Sequence, residues 1–296
     1  MGEAVSAVST TKTSQASVAA VRLPTTGLRH QARATSVVWR RELVRFIRDR
    51  TRALTGLVQP LLFLFVLGTG LSSLVARGTD IDFRTFLYPG IVAISVLFTA
   101  TFAGISLVWD REWGFLREMM VAPVSRASIL LGKALGGATV ATAQSMVMLA
   151  LCGVVDIPYD PVMLLEMVGL LFLAGLMLTS MSLAMVVRIR QFQAAFPLVQ
   201  MVIMPMMFLS GAMFPLSGLP RWLDILTTVN PLTYAVEPMR QVVFERLDLT
   251  AADRATLDPG ITWGDWQVPV SMQVGVVLAV TAGLLAVAIA RFDRTE

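Results

Sequence analysis

The chain has 296 residues, 24 Lys+Arg against 20 Asp+Glu for a formal net charge of +4, and 55% hydrophobic but only 15% charged residues. Soluble domains carry roughly 45–50% apolar and about 25% charged residues, so a soluble one- or two-domain enzyme is excluded, and so is disorder over most of the length. One cysteine (Cys152) and one histidine (His30) exclude an internal disulfide and leave no basis for a zinc or haem site built on those residue types.

Residues 1–28 are rich in Ser, Thr and Ala without an apolar run. They read as disordered tail rather than a cleaved signal peptide, and the tail is placed at 1–34. Residues 36–54 follow as SVVWRRELVRFIRDRTRAL. Trp39, Leu43, Phe46, Ile47 and Leu54 recur at helical spacing, and Arg41, Arg45, Arg48 and Arg52 fall on another face. That pattern predicts a basic amphipathic helix in the membrane interface. It either anchors the first span or also meets a cytoplasmic partner.

A helix needs about 20 apolar residues to cross the hydrocarbon core. Six runs qualify, at about 53–75, 87–109, 129–155, 163–187, 194–214 and 268–290. With these spans, eighteen basic residues fall on the side of the N-terminus and six on the other. The excess of Lys and Arg predicts that both termini are cytoplasmic. The expected fold class is therefore an all-α membrane protein of six transmembrane helices. A membrane domain at 35–292 is followed by a short cytoplasmic tail at 293–296.

The stretch between spans 2 and 3 reads WDREWGFLREMMVAPVSRASILLGKALGG. Charges of both signs at Asp110, Arg111, Glu112, Arg117 and Glu118 alternate with Trp113, Phe115, Leu116, Met119 and Met120. This predicts a short amphipathic helix that Pro123 ends, with Ser125 capping the next helix. Its bulky apolar residues suit either another protein's groove or the lipid interface. Gly132 and Gly136 form a G-x-x-x-G that permits close helix approach without naming a partner.

After span 5 the chain stays apolar but is broken by Gly211, Pro215, Gly218, Pro220, Pro231 and Pro238. With Trp222 and Tyr234 it reads as helical pieces in or along the outer leaflet, the alternative being a plain external loop. The span interiors hold almost no charge. That argues against a proton- or sodium-driven carrier and against a membrane-embedded enzyme with paired carboxylates. No G-x-x-x-x-G-K-[ST] occurs, so the chain itself binds no ATP through a P-loop.

Three stretches resemble the ABC-2 family of transporter permeases, in its drug-exporter and nodulation-type lipo-oligosaccharide branch. They are REWGFLREMMVAPVSRASILLGK (111–133), FLSGAMFPLSGLP (208–220) and NPLTYAVEPMRQVVF (230–244). Trp113 departs from the smaller or charged residue commoner there. The resemblance covers about residues 35–292. It implies two permease copies, or this chain with a paralogue, above two cytoplasmic ATP-binding subunits in a bacterial plasma membrane.

The same resemblance makes 110–122 a coupling helix, with Arg111, Glu112, Phe115, Leu116 and Met119 seated in the ATPase. The interfacial helix with Trp39, Leu43, Phe46 and Ile47 would touch it too. The outer re-entrant segment would contain Gly211, Pro215, Pro220, Asn230, Pro231, Tyr234, Glu237 and Arg240. ATP and Mg2+ would bind in the partner, with no cofactor, metal or nucleic acid on this chain. The implied activity is export of a lipophilic drug-like or lipid/glycolipid substrate, not an enzymatic reaction of this chain. A polysaccharide or lipid-linked glycan exporter and a non-transporting assembly subunit are the rival readings.

Overall fold

Apolar runs punctuated by glycine and proline fold into ten α-helices in a computed structural model that describes residues 27–70, 83–121, 124–214, 219–247, 260–263 and 266–293. In chain order they are α1 (Leu28–Arg48), α2 (Arg50–Gly70), α3 (Phe83–Glu112), α4 (Phe115–Val121) and α5 (Arg126–Leu149). Then follow α6 (Pro161–Val186), α7 (Phe192–Phe208), α8 (Arg221–Val229), α9 (Thr233–Phe244) and α10 (Val270–Asp293). A two-residue hairpin, β1 (Thr262–Trp263) and β2 (Trp266–Gln267), pairs antiparallel with Thr262 opposite Gln267 and Trp263 opposite Trp266. Pro123, Pro215, residues 71–75 of the first expected span and the acidic stretch 248–259 lie outside the described residues.

Among the described residues, four helices are long and apolar enough to cross a membrane: α2, α3, α6 and α10. Two further helices differ from that description in opposite ways. The 24-residue α5 has the length but is rich in small and polar residues, and α7 is apolar but has only 17 residues.

Several boundaries shift from the sequence expectation for local reasons. The interfacial helix begins at Leu28, inside the segment expected as tail. It does not run through to residue 54. Asp49 leaves the helical region, and its Oδ1 accepts the Arg52 N–H at 3.1 Å, which starts α2 as a new helix. Span 3 ends as α-helix at Leu149, and Cys152–Val155 forms a 3-10 turn. Ser125 caps α5 as expected, accepting the Ser128 N–H at 3.1 Å. Asp160 caps α6 ahead of Pro161 in the first turn, accepting the Val162 N–H at 2.8 Å.

α3 is the axis of the bundle, packed on α5, α6, α7 and α9, whereas α2 and α10 lie at its periphery. Apolar contact alone selects weakly between helices in lipid, so polar and small residues carry much of the specificity. Ser182 Oγ donates to Thr101 O at 2.9 Å, and Ser145 and Ser95 share a hydroxyl bond of 3.2 Å. Tyr88 OH donates to the terminal carbonyls of α5, Met148 O at 3.1 Å and Leu149 O at 3.0 Å.

The G-x-x-x-G has a defined partner, α1. A Cβ on Gly132 would lie 2.6 Å from Val38 Cβ, and one on Gly136 would lie 2.7 Å from Glu42 Cβ. The face of α1 that docks is therefore Val38 and Glu42, both buried. Ile47, expected on its apolar face, is exposed.

Candidate functional site

Where α1, α3 and α5 meet, five charged side chains converge. Lys133 Nζ donates to Glu42 Oε1 at 3.0 Å and to Ser106 Oγ at 3.0 Å, and it lies 2.6 Å from Asp110 Oδ2. Arg41 reaches Glu42 Oε1 at 3.1 Å and also pairs with Asp110 Oδ2. Arg45 Nη1 stands 3.4 Å from Asp110 Oδ1 and 3.9 Å from Glu42 Oε2. Lys133, Asp110 and Glu42 are all buried.

Removing one ion from water costs several kcal/mol, so these charges are tolerable only as a set. Burial opposes ionisation of Glu42, but Lys133 and Arg41 together outweigh it and hold its carboxyl below the usual carboxylate range. The cluster corrects the placement of Lys133 in the loop between spans 2 and 3: it lies within α5, while Glu42 and Asp110 lie outside the expected spans. Sequence reasoning missed it. The available signal was Lys133 within the apolar run ILLGKALGG, one of two lysines in the chain.

Beside the cluster, α3 ends and α4 begins. Gly114 has φ +80, a left-handed conformation that suits glycine, and it separates the two helices. Arg111 donates to Ile189 O at 2.6 Å and to Val187 O at 2.9 Å, carbonyls just past α6. Glu112 Oε1 accepts the Phe192 N–H at 2.8 Å, at the N-terminus of α7. Arg111 and Glu112 thus lock the turn between α6 and α7 to the end of α3.

Leu116 is 1% exposed and packs into the core. Met119 is half-buried, and its Sδ accepts from Arg41 Nη1 at 3.5 Å. Trp113 and Phe115, by contrast, are 65% and 48% exposed. Of the interfacial-helix residues, Trp39 Nε1 donates to Thr139 Oγ1 at 3.0 Å, while Leu43 and Phe46 are half-buried.

Aromatic rings run inward from Trp113. It stacks on Trp109 at 6.4 Å and Trp109 on Phe192 at 4.9 Å; Phe192 meets Phe196 tilted at 5.8 Å, and Phe196 stacks on Phe102 at 6.0 Å. The series borders a cleft of about 350 Å³ between α2, α3 and α5. Arg52, Gln59, Phe98, Phe102, Trp109 and Gln144 line it. The Arg52 guanidinium lies 5.5 Å from the Trp109 ring and 5.8 Å from that of Phe102. Sequence reasoning passed over this site, because α2 supplies one wall and α3 another.

The opposite end of α3 holds a second buried pair. Arg240 Nη1 donates to Glu237 Oε2 at 3.3 Å, Arg240 Nη2 donates to Gly211 O, and the guanidinium covers the Phe86 ring at 4.8 Å. Gly211 has φ +71, and a Cβ on Gly90 of α3 would overlap the backbone of Ala212. Asn230 Nδ2 donates to Met206 O at 2.7 Å, and its Oδ1 accepts the Leu232 N–H at 3.0 Å. Tyr234 OH donates to Thr228 O and accepts from Trp263 Nε1, both at 2.8 Å. Pro220 stands at the N-cap of α8, and Pro231 lies in the turn to α9. Gly211, Glu237 and Arg240, expected in one segment, are thus joined by hydrogen bonds against the end of α3, whereas Asn230 and Tyr234 of the same segment bond to Met206 and Leu232 and to Thr228 and Trp263. Among the described residues no group of three or more His, Cys, Asp or Glu could hold a metal ion.

The profile of the ABC-2 type transporter family matches residues 33–244, from α1 to the end of α9. The chain belongs to this family. Its ABC-2 core therefore includes the buried ion cluster, α4 and the unit around Arg240.

Among curated relatives of this ABC-2 protein, a putative transport permease (ycf38) of Cyanophora paradoxa is 30% identical over 202 residues, 66% of this chain and 70% of that one. Nodulation protein J of Rhizobium meliloti is 28% identical over 70% of this chain and 79% of its own. A probable multidrug ABC transporter permease of Escherichia coli (YbhR) is 28% identical over 60% of this chain and 50% of its own. The chain is an ABC-2 transport permease of the membrane.

Proposed function

We propose that the chain is the membrane subunit of an ATP-driven exporter in a bacterial plasma membrane. It moves a lipophilic drug-like or lipid/glycolipid substrate out of the cytoplasm or inner leaflet. Two copies, or this chain and a paralogue, sit side by side over two ATP-binding subunits that hold ATP and Mg2+. In this reading α5 and α7 cross the membrane together with the four longer helices. The six crossings put the eighteen-to-six excess of basic residues, and both termini, on the cytoplasmic side.

The observation that carries the reading is α4. It exposes Phe115 next to Trp113 while its Leu116 face is buried. Met119 ties this short segment to Arg41 of α1, and the end of α3 just before it is locked to the α6–α7 turn by Arg111 and Glu112. An exposed aromatic anchor on a rigid mount suits a docking helix. ATP binding closes the ATPase pair, and the mount carries that displacement into the bundle as a rigid-body shift. Phe115 and Trp113 make the contact with the ATPase, and Arg111, Glu112, Leu116 and Met119 position them.

A lipid-linked glycan is the second reading. Phe98, Phe102 and Trp109 stand beside Gln59 and Gln144 in the cleft, and such rings and amides suit sugar faces and hydroxyls.

The test is purification of the tagged chain from its host in mild detergent, with ATP hydrolysis assayed on the copurifying chains. A stoichiometric P-loop subunit, lost with Phe115→Ala, is the expected result. Absence of any ATPase across several detergents overturns the transporter reading in favour of an assembly subunit.

A further inference from the structure

We propose that the cleft between α2, α3 and α5 is a binding site for an amphiphile with one anionic headgroup, and that Arg52 receives that headgroup. The inference deepens the transport reading by assigning a substrate or lipid class to a site within the bundle.

Arg52 is a cation without a direct ion-pair partner among the described residues. Arg52 lies half-buried, sandwiched by Trp109 at 5.5 Å and Phe102 at 5.8 Å. Stacking on ring faces leaves its in-plane N–H donors free. Among the described residues its guanidinium meets no carboxylate in a salt bridge and no hydrogen-bond acceptor. Asp49 and Glu42 act on the guanidinium through space, but neither forms a salt bridge with it, and Asp49 Oδ1 is committed to the Arg52 backbone N–H as the cap of α2. Glu42 and Asp110, in the neighbouring cluster, are taken by Lys133, Arg41 and Arg45. Counting Arg41, Arg45, Arg52 and Lys133 against Glu42, Asp49 and Asp110, the region carries one positive charge in excess. Among the described residues, Arg52 is the one charged residue that lines the cleft itself.

A second group is also unanswered. Gln144 of α5 is 5% exposed and faces the cleft, yet its amide makes no hydrogen bond among the described residues. The amide is accessible from the cleft, and an anionic oxygen between Arg52 and Gln144 would take a hydrogen bond from each. At about 350 Å³ the cleft falls within the roughly 300–1,000 Å³ of small-molecule sites. Its remaining wall suits a tail. Phe98 is apolar, and peripheral α2 presents exposed Val58 and Leu62 alongside. α2 is also irregular there, with Pro60 inside the helix and a π-turn at Phe63–Leu67, a feature frequent at functional sites.

The headgroup can belong to a leaflet lipid or to a free amphiphile, and native mass spectrometry tells them apart by mass. The full-length chain is delipidated in detergent and titrated with phosphatidylglycerol, with phosphatidylcholine of the same chains, and with palmitate. One saturable anionic site is expected, at least about ten-fold tighter than for phosphatidylcholine. Arg52→Gln should remove that preference. Gln144→Leu should weaken it several-fold, and Arg48→Gln, at an exposed position on α1, should leave it intact. Tight phosphatidylglycerol assigns the site to lipid, and tight palmitate alone assigns it to free amphiphiles. Should Arg52→Gln fail to fold, the Gln144→Leu and Arg48→Gln pair decides. Equal affinity for the anionic and zwitterionic ligands, or equal loss in Arg48→Gln, overturns the proposal. The measurement needs no ATPase, so it can fail while the transporter reading stands, and the reverse.

Discussion

Lys133 Nζ lies 2.6 Å from Asp110 Oδ2, with both side chains fully buried, and this contact joins α5 to α3. Losing one partner of a buried pair leaves an uncompensated charge, which costs about 3–5 kcal/mol. Lys133→Met should therefore lower the unfolding temperature in detergent sharply, because Asp110 keeps only its Arg41 and Arg45 contacts. The double variant Lys133→Met, Asp110→Leu should recover part of that loss. A double variant that is worse than the sum of the two single changes would refute this reading of the pair.

The same cluster predicts acid lability. The carboxyl of Glu42 is held below its usual 4.5, so the unfolded chain binds a proton there more readily than the folded one. Stability then rises with pH through this window. The contribution is complete above 4.5 and is lost as the pH falls through the lower folded value. Asp160, at the cap of α6, shifts in the same direction, chiefly through the Val162 N–H and then Arg246, which lies 2.7 Å away. Melting curves between about pH 3 and 7 should show a steeper acid decline for the parent than for Glu42→Gln. Equal slopes would mean that Glu42 is not the responsible group.

Seating of α1 on α5 depends on two absent side chains. A Cβ on Gly136 would press on Glu42 Cβ at 2.7 Å, whereas one on Gly169 of α6 meets nothing within 4 Å. Overpacking of this kind costs typically about 1–3 kcal/mol. Gly136→Leu should speed tryptic cleavage within the Arg-rich α1, and Gly169→Leu should not. Equal cleavage rates for both variants would show that α1 is held by other contacts.

What the sequence disclosed and what it hid follow from the range of the interactions. Apolar runs as long as α3 and α6 declare themselves residue by residue, and Ser125 marks its helix start through a bond to Ser128, three residues on. The group of Asn230, Tyr234, Glu237 and Arg240 was legible as a motif. Its contact with Phe86 was not, because that ring comes from the far end of α3. Lys133 looked like a loop cation because hydropathy scores it alone, without Asp110 and Glu42 to neutralise it. Likewise Phe98, Phe102 and Trp109 share a helical face of α3, but only the fold brings Arg52 against them.

The exposed and buried faces of α4 separate two effects that one amphipathic pattern had merged. Leu116 is 1% exposed and Phe115 is 48% exposed on consecutive positions. Truncating Leu116 removes core packing, at roughly 2–5 kcal/mol for a buried leucine, so Leu116→Ala should lower thermal stability of the isolated permease. Phe115→Ala leaves that core intact and should change the melting temperature little. In the proposed exporter it removes an interface anchor, where hot-spot losses reach about 2 kcal/mol or more. ATPase binding should then weaken at least about 30-fold, since each 1.4 kcal/mol is ten-fold. Both quantities can be read on the same preparations, by melting the permease alone and by titrating it with its ATPase. A Phe115→Ala protein that melts early and binds normally would reverse the assignment and make Phe115 part of the fold rather than of the docking face.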